Sequence, residues 1–204
     1  MIAIIDYGMG NLRSVAKAFE QLGAEALITG NAEEIRKAAK LVLPGVGAFG
    51  DGMANLKNAG LIEVMNEEVL TKKKPILGIC LGMQLLASDS EELGMHKGLG
   101  WIDAHVRRLD ANGTGLKIPH VGWNDIRITP GANLFEHLPQ NPSFYFVHSF
   151  AVRCNNAADV AATCEYGTAF TAALQHENIH AVQFHPEKSQ KDGLKVLENF
   201  IALP

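Results

Sequence analysis

The chain of 204 residues is long enough to bury the core of one domain, which we expect to span residues 1–204. Its composition, 47% hydrophobic and 20% charged, is typical of a globular α/β protein. A net charge of −4 and the absence of a basic run longer than Lys72-Lys73-Lys74 argue against nucleic-acid binding, and no apolar stretch approaches the length of a membrane span.

The cysteine pattern favours a reducing compartment. Cys80, Cys154 and Cys164 are odd in number and show no Cys-x-x-Cys spacing, which disfavours a disulfide framework and a zinc site. The first residues, Met1 to Asp6, lack the basic start of a signal peptide and are predicted to form a strand. We therefore expect a cytoplasmic protein that needs no metal or other cofactor.

Short apolar runs alternate with helical patterns through the first half of the chain. Strands are predicted at residues 2–5, 26–29, 41–43 and 76–79, and helices at 11–22, 33–39, 51–58 and 61–70. This βαβα order predicts an open, mostly parallel sheet with helices on both faces.

The second half changes character. Strands joined by turns are predicted at residues 101–109, 120–128, 144–152, 158–164 and 172–175, followed by a terminal helix at 192–203. We expect these strands to form an antiparallel extension of the sheet.

The motif Gly78-Ile79-Cys80-Leu81-Gly82 lies between a predicted strand and an apolar helical pattern. Glycines two residues to either side of Cys80 let the chain turn sharply and expose the thiol, as in the nucleophile elbow of α/β-hydrolases. The N-terminus of the next helix favours the thiolate, because its free N–H groups carry partial positive charge. Taken alone, the motif also fits a buried cysteine beside a strand-end glycine.

A second motif, Gln183-Phe184-His185-Pro186-Glu187, closes an apolar run. A cysteine nucleophile needs a base, and imidazole titrates near neutrality. Glu187 stands two residues from His185, so on an extended segment both side chains would lie on one face, where the carboxylate could orient the ring. Pro186 keeps His185 out of the helical region. Alone, the tripeptide fits a solvated turn, but paired with Cys80 it predicts a Cys-His-Glu triad.

These two motifs, the first extended to Gln84, resemble the class I (triad-type) glutamine amidotransferases, and the resemblance covers essentially the whole chain. Other segments resemble the glutaminase subunits of imidazole glycerol phosphate synthases, which serve histidine biosynthesis: residues 6–12, 43–49, 119–124 and 145–149. One difference is Val121, where methionine is more usual.

The resemblance implies a flavodoxin-like fold and hydrolysis of L-glutamine to glutamate and ammonia. It also implies a heterodimer with a (β/α)₈ cyclase subunit, which uses the ammonia to make imidazole glycerol phosphate and AICAR. Rival readings are a glutaminase of the same class serving pyridoxal phosphate or anthranilate synthesis, a cysteine peptidase or hydrolase of flavodoxin-like fold, and a regulatory module that keeps the elbow as a scaffold.

Acyl transfer needs N–H donors where the oxyanion develops. The candidates are Gly45 and Val46, in a glycine-rich turn after a predicted strand, and Leu81, which follows the nucleophile. The alternative for the first two is a tight turn that requires its glycines. A peptide at Gly45 and Val46 that must flip before it donates would be one way to keep the site idle.

The resemblance further assigns substrate contacts and a partner surface. Glutamine would be bound by Gly47, Gln84, Glu92, His148 and Ser149. The partner would be contacted by Asn11, Trp123 and Lys188. The alternative readings are a solvated helix and loop for Gln84 and Glu92, and the N-cap of the first helix for Asn11.

Other motifs predict no further chemistry. Gly8-Met9-Gly10 lacks the third glycine of a dinucleotide-binding loop, which disfavours nicotinamide binding. The remaining histidines show no metal-ligand spacing and are expected at the surface or in turns: His96, His105, His120, His137, His176 and His180.

Overall fold

The computed structural model describes residues 1–204. The strands are β1 (Ile2–Ile5), β2 (Ala26–Thr29), β3 (Lys40–Gly45), β4 (Ile76–Cys80), β5 (Asp89–Ser90), β6 (His96–Lys97), β7 (Ala104–Arg108), β8 (His120–Ile128), β9 (Ser143–His148), β10 (Phe150–Cys154), β11 (Val160–Tyr166), β12 (Thr168–His176) and β13 (Ile179–Val182). The helices are α1 (Leu12–Gln21), α2 (Ala32–Lys37), α3 (Phe49–Asn58), α4 (Leu61–Asn66), α5 (Leu81–Leu85) and α6 (Gln190–Ala202), and a π-helical segment, Glu67–Thr71, prolongs α4.

Nine strands form one open sheet in the order β2-β1-β3-β4-β13-β12-β11-β8-β9. The neighbours from β2 to β13 pair in parallel, and those from β13 to β9 pair antiparallel. The predicted flavodoxin-like parallel sheet with an antiparallel extension is therefore confirmed.

The remaining four strands, from the middle of the chain, form a separate sheet in the order β10-β7-β5-β6. The single strand predicted over 144–152 was wrong: β9 pairs with β8 in the large sheet, whereas β10 pairs with β7 in the small one. The strand predicted at 101–109 likewise lies in the small sheet. Since apolar residues resume directly after His148 and Ser149, the sequence pattern did not reveal the break at Ser149.

Helices cover both faces of the large sheet. In β1 the side chains alternate, so Ile4 packs with Phe19 of α1 and Phe200 of α6, and Ile5 packs with Leu56 of α3. All five side chains are fully buried. Two apolar cores, one on each face, thus fix the sheet between its helices.

The parallel strands place the candidate site at one edge of the sheet. Because their carboxyl ends meet there, the residues that follow β1, β3, β4 and β13 lie close together. These segments carry Gly8 to Asn11, Val46 to Ala48, the Cys80 elbow, and Gln183 to Glu187. Every motif that the sequence singled out in the parallel half is therefore gathered at this edge.

Candidate active site

Cys80 is the last residue of β4 and precedes α5 directly, in the sharp turn that the elbow requires. Its backbone has φ 53° and ψ −108°, a conformation that non-glycine residues rarely adopt and that is typical of functional sites. Gly82 permits the turn, because a Cβ there would lie 1.7 Å from the carbonyl oxygen of Leu43. The strained turn leaves the thiol on the wall of a cavity.

His185 and Glu187 form the hydrogen-bonded pair that the sequence predicts. Nδ1 of His185 donates to Oε1 of Glu187 over 2.8 Å, and the two side chains are 2% and 1% exposed. The expected extended segment was wrong, however, because Pro186 starts a short 3₁₀ turn ending at Lys188. This turn folds Glu187 back beneath the imidazole, since proline is pre-organised for a first helical position.

The cavity beside Cys80 has a volume of about 240 Å³. Its walls come from the ends of several strands and from the segment between β9 and β10: Val46, Gly47, Cys80, Leu81, Gln84, Glu92, Val147, His148, Ser149, Phe150 and His185. All five residues assigned to substrate binding lie in this set, as do Val46 and Leu81 of the oxyanion candidates.

The neighbours of His185 decide its charge. Burial alone would lower the pKa of His185, but the neighbouring Cys80 sulfur and the hydrogen-bonded carboxylate of Glu187 raise it to about 9. The imidazole therefore carries a proton at neutral pH. A protonated ring beside a thiol sulfur is the arrangement of an ion-paired cysteine nucleophile.

Gln84 and Glu92 line the cavity while also bonding to the protein. The amide nitrogen of Gln84 donates to the carbonyl of Phe150 at 2.9 Å and to Oε1 of Gln183 at 3.1 Å. Oε2 of Glu92 accepts from the N–H of Phe49 at 2.7 Å, at the start of α3. Both side chains are thus held in place before any ligand arrives.

The oxyanion candidates occupy different positions. Val46 is 42% exposed and lies in the cavity wall, and Leu81 also lines it. Gly45 is buried behind the wall, where a Cβ would lie 2.3 Å from the Tyr7 hydroxyl and 2.9 Å from Cβ of Leu81. Only glycine fits at this position, so the backbone there can approach the elbow closely.

Sequence reasoning placed two histidines wrongly. His120 and His180, expected at the surface or in turns, are 2% and 3% exposed. His120 stacks between Phe146 and Tyr166, with ring centroids 4.9 and 4.0 Å away. His120 lies in β8, where buried residues alternate with more exposed ones, whereas His180 lies in β13, a strand that is buried throughout.

Sequence reasoning also assigned no role to Gln183 beside the nucleophile. This fully buried side chain donates from Nε2 to Sγ of Cys80 over 3.7 Å, and its oxygen accepts from Gln84. The available signal was its position, directly after an apolar strand and two residues before the triad histidine. An amide buried there needs polar partners, which the site would supply.

Trp123 and Lys188 of the predicted partner surface are brought together by Tyr145. The rings of Trp123 and Tyr145 lie 6.3 Å apart, and Nζ of Lys188 lies 5.9 Å from the centroid of the Tyr145 ring. Val121, opposite Val147 in the ladder, extends this exposed strip of β8 and β9. The strip is apolar, with one lysine beside the triad turn.

Asn11 stands at the N-cap position of α1, but its side chain does not cap the helix. Its Oδ1 accepts from the hydroxyl of Ser14 over 2.8 Å instead of from a backbone N–H. The preceding Gly10 packs against Gly45, where a Cβ would lie 3.4 Å from the Gly45 Cα. Asn11 thus follows a loop in contact with the oxyanion segment.

Two further observations bear on function. No group of three or more His, Cys, Asp or Glu side chains is arranged to hold a metal ion. None of the helices combines the length and apolar character needed to cross a membrane.

A model of the glutamine amidotransferase class-I family matches residues 3–203. The chain belongs to that family. The amidotransferase is 52% identical over 203 residues to imidazole glycerol phosphate synthase subunit HisH 1 of Campylobacter jejuni strain RM1221, with 100% of both chains covered. It is 50% identical over 201 residues to subunit HisH 2 of Methanococcus maripaludis, with 98% of each chain covered.

Solved structures of other proteins share the fold of this amidotransferase. A crystal structure of a glutamine amidotransferase superposes with a TM-score of 0.77 at 19% identity, covering 99% of this chain and 98% of the other. PurLQS from Thermotoga maritima gives a TM-score of 0.75 at 19% identity, covering 98% and 97%. At this identity the likeness concerns the fold alone.

Proposed function

We propose that this chain is the glutaminase subunit of an imidazole glycerol phosphate synthase in histidine biosynthesis. It hydrolyses L-glutamine to glutamate and ammonia, and a (β/α)₈ cyclase subunit in the same heterodimer consumes the ammonia. The single observation that carries the proposal is the hydrogen-bonded His185–Glu187 pair on the cavity that holds Cys80. The full-length similarity to HisH subunits supports the assignment of pathway and partner.

The reaction follows from the charges of this site. Cys80, deprotonated by His185, attacks the side-chain amide carbon of glutamine. The developing oxyanion accepts hydrogen bonds from the N–H groups of Leu81 and of the Gly45–Val46 segment. His185 gives its proton to the departing ammonia while Glu187 stabilises the imidazolium. Water, deprotonated by His185, then hydrolyses the glutamyl thioester and frees the thiol.

Substrate selection follows from the polar groups of the wall. The carboxylate of Glu92 suits the α-ammonium of glutamine, and the amide of Gln84 suits a polar atom of the substrate. The backbone at His148 and Ser149 would bind the α-carboxylate. Because Gln84 and Glu92 are already bonded to the protein, little side-chain entropy is lost when glutamine binds.

Covalent labelling tests the nucleophile. An electrophilic glutamine analogue should label Cys80, and Cys80→Ser should release no ammonia from glutamine while remaining folded. Cys154 and Cys164 serve as internal controls, because burial raises their pKa to about 11 and about 12 and keeps both thiols protonated. Label on either control cysteine, with hydrolysis retained in Cys80→Ser, would contradict the proposal.

A further inference from the structure

A chain of hydrogen bonds leads from the cavity wall to the strand that carries Trp123. Nδ1 of His148 lies 2.9 Å from the carbonyl oxygen of Phe150, and its Nε2 lies 3.0 Å from Nδ1 of His120. At the far end, Nε2 of His120 lies 3.5 Å from the amide nitrogen of Asn124. The chain therefore connects β8 with the junction of β9 and β10.

Chemistry fixes the direction of these bonds. A carbonyl oxygen can only accept, so Nδ1 of His148 carries the hydrogen and Nε2 of that ring accepts. His120 must then donate from Nδ1, which leaves its Nε2 as the acceptor for the amide N–H of Asn124. Asn124 also donates to the carbonyl of Glu165 at 3.0 Å, which is consistent with an amide group oriented as a donor.

This arrangement requires both imidazoles to be neutral, and their surroundings keep them so. Burial lowers the pKa of His120 to about 4. Burial lowers that of His148 to about 3, although the hydrogen bond to the Phe150 carbonyl acts in the opposite direction. At neutral pH each ring offers one donor and one acceptor, as the chain of bonds demands.

The end of the chain fixes a carbonyl in the wall of the site. The Phe150 oxygen accepts from His148 and from Gln84, each at 2.9 Å, and all three residues line the cavity. Ser149 lies between His148 and Phe150, where the backbone leaves the large sheet for the small one. The two bonds therefore hold this crossing in one conformation.

We propose that His120 is a positioning residue for glutamine binding. Its Nδ1–H orients the His148 ring, and through that ring it fixes the backbone of residues 148–150 against which the substrate lies. The inference rests on the proposed glutaminase function. His120 does not line the cavity, so its loss acts on the shape of the wall and leaves the triad intact.

The test is a pair of substitutions at His120, assayed for ammonia release in the complex with the cyclase subunit. His120→Phe keeps a ring for the stack with Phe146 and Tyr166 but removes the donor. His120→Asn loses the stack but keeps an N–H near the place of Nδ1. We expect His120→Phe to raise KM for glutamine about fivefold, with kcat nearly unchanged, because that factor corresponds to the free energy of one neutral hydrogen bond. His120→Asn should bring KM back to within about twofold of the natural chain.

His180→Phe is the matched control, because this buried histidine lies in β13 and does not line the cavity. It should leave KM unchanged.

Should His120→Phe not fold, Asn124→Ala provides the test, because it removes the other end of the hydrogen-bond chain from a half-buried position. A raised KM in Asn124→Ala supports the inference. An unchanged KM in a folded His120→Phe, or a KM for His120→Asn as high as for His120→Phe, overturns it. If the natural complex releases no ammonia from glutamine, the proposed function itself has failed.

Discussion

Two imidazoles that line the same cavity, those of His185 and His148, hold their protons differently. Burial lowers the pKa of His148 to about 3, because its hydrogen bond to the Phe150 carbonyl offsets only part of the effect and no carboxylate faces the ring. His185 is as deeply buried, but its pKa rises to about 9 beside Cys80 and Glu187. Neighbouring charge therefore decides which histidine does acid–base chemistry and which one shapes the wall.

The pH dependence of hydrolysis should report the proton on His185. With its pKa raised to about 9, the imidazolium persists through neutrality and is lost as pH rises through that value. We expect kcat/KM to be level near neutral pH and to fall above about pH 9. Glu187→Gln removes one cause of the raised pKa, so the fall should begin at lower pH and turnover should decrease. His185→Asn should remove nearly all turnover. The same high-pH limb in Glu187→Gln and the natural chain would contradict this assignment.

A buried hydroxyl at Tyr7 gives a prediction for stability. The side chain is 4% exposed, its hydroxyl has no hydrogen-bond partner, and burial raises its pKa. Tyr7→Phe removes only this oxygen and should raise the free energy of unfolding by about 1 kcal/mol. Tyr166→Phe is the control, because that hydroxyl donates to the carbonyl of Lys117 at 2.6 Å and its loss should destabilise the fold. Urea unfolding measures both, and a destabilised Tyr7→Phe would contradict the account.

At the scale of elements, the parallel half of the sheet could be predicted closely from the sequence. The strands at Ile2–Ile5 and Ala26–Thr29 have the predicted bounds, because short β-branched runs end at polar or glycine residues. The antiparallel half could not. Residues 144–152 are predicted as one strand, yet the chain changes sheet at Ser149. That step depends on pairing with β7, 42 to 50 residues earlier in the chain.

The residues of the candidate site likewise fall into those that could be predicted from the sequence and those that could not. Cys80, His185 and Glu187 could be found because a nucleophile, a base and an orienting carboxylate stand in local motifs. The chain from Asn124 through His120 to His148 could not be found, since it depends on the pairing of β8 with β9. Functional residues that form a local motif can thus be recognised from the sequence, whereas contacts between distant strands cannot.

The strip on β8 and β9 should transmit the state of the partner to the triad. Lys188 packs over Tyr145 and directly follows Glu187 in the triad turn. We expect Lys188→Ala to weaken the stimulation of glutaminase turnover by the cyclase more than it changes turnover of the free chain. Lys191→Ala removes an exposed lysine on α6 and serves as the control. Equal stimulation in both variants would exclude a coupling role for Lys188, and ammonia release with and without cyclase is the measurement.

At the scale of the whole molecule, Cys80 and His185 line a single cavity, and we propose that the synthesis that consumes ammonia takes place in another subunit. A free chain that released ammonia continuously would waste glutamine. We expect the switch to be the backbone at Gly45 and Val46, because Gly45 lies against Tyr7 and Leu81 and Val46 lines the cavity. If one oxyanion donor is absent until the partner docks, the free chain lacks about 3 kcal/mol of transition-state stabilisation.

Steady-state ammonia release from glutamine by the free chain and by its complex with a cyclase subunit and nucleotide ligand tests the central claim most directly. The account predicts that turnover rises at least about a hundredfold in the complex, and that Cys80→Ala abolishes it in both states. Equal rates for the free chain and the complex would contradict the account and favour a self-sufficient hydrolase.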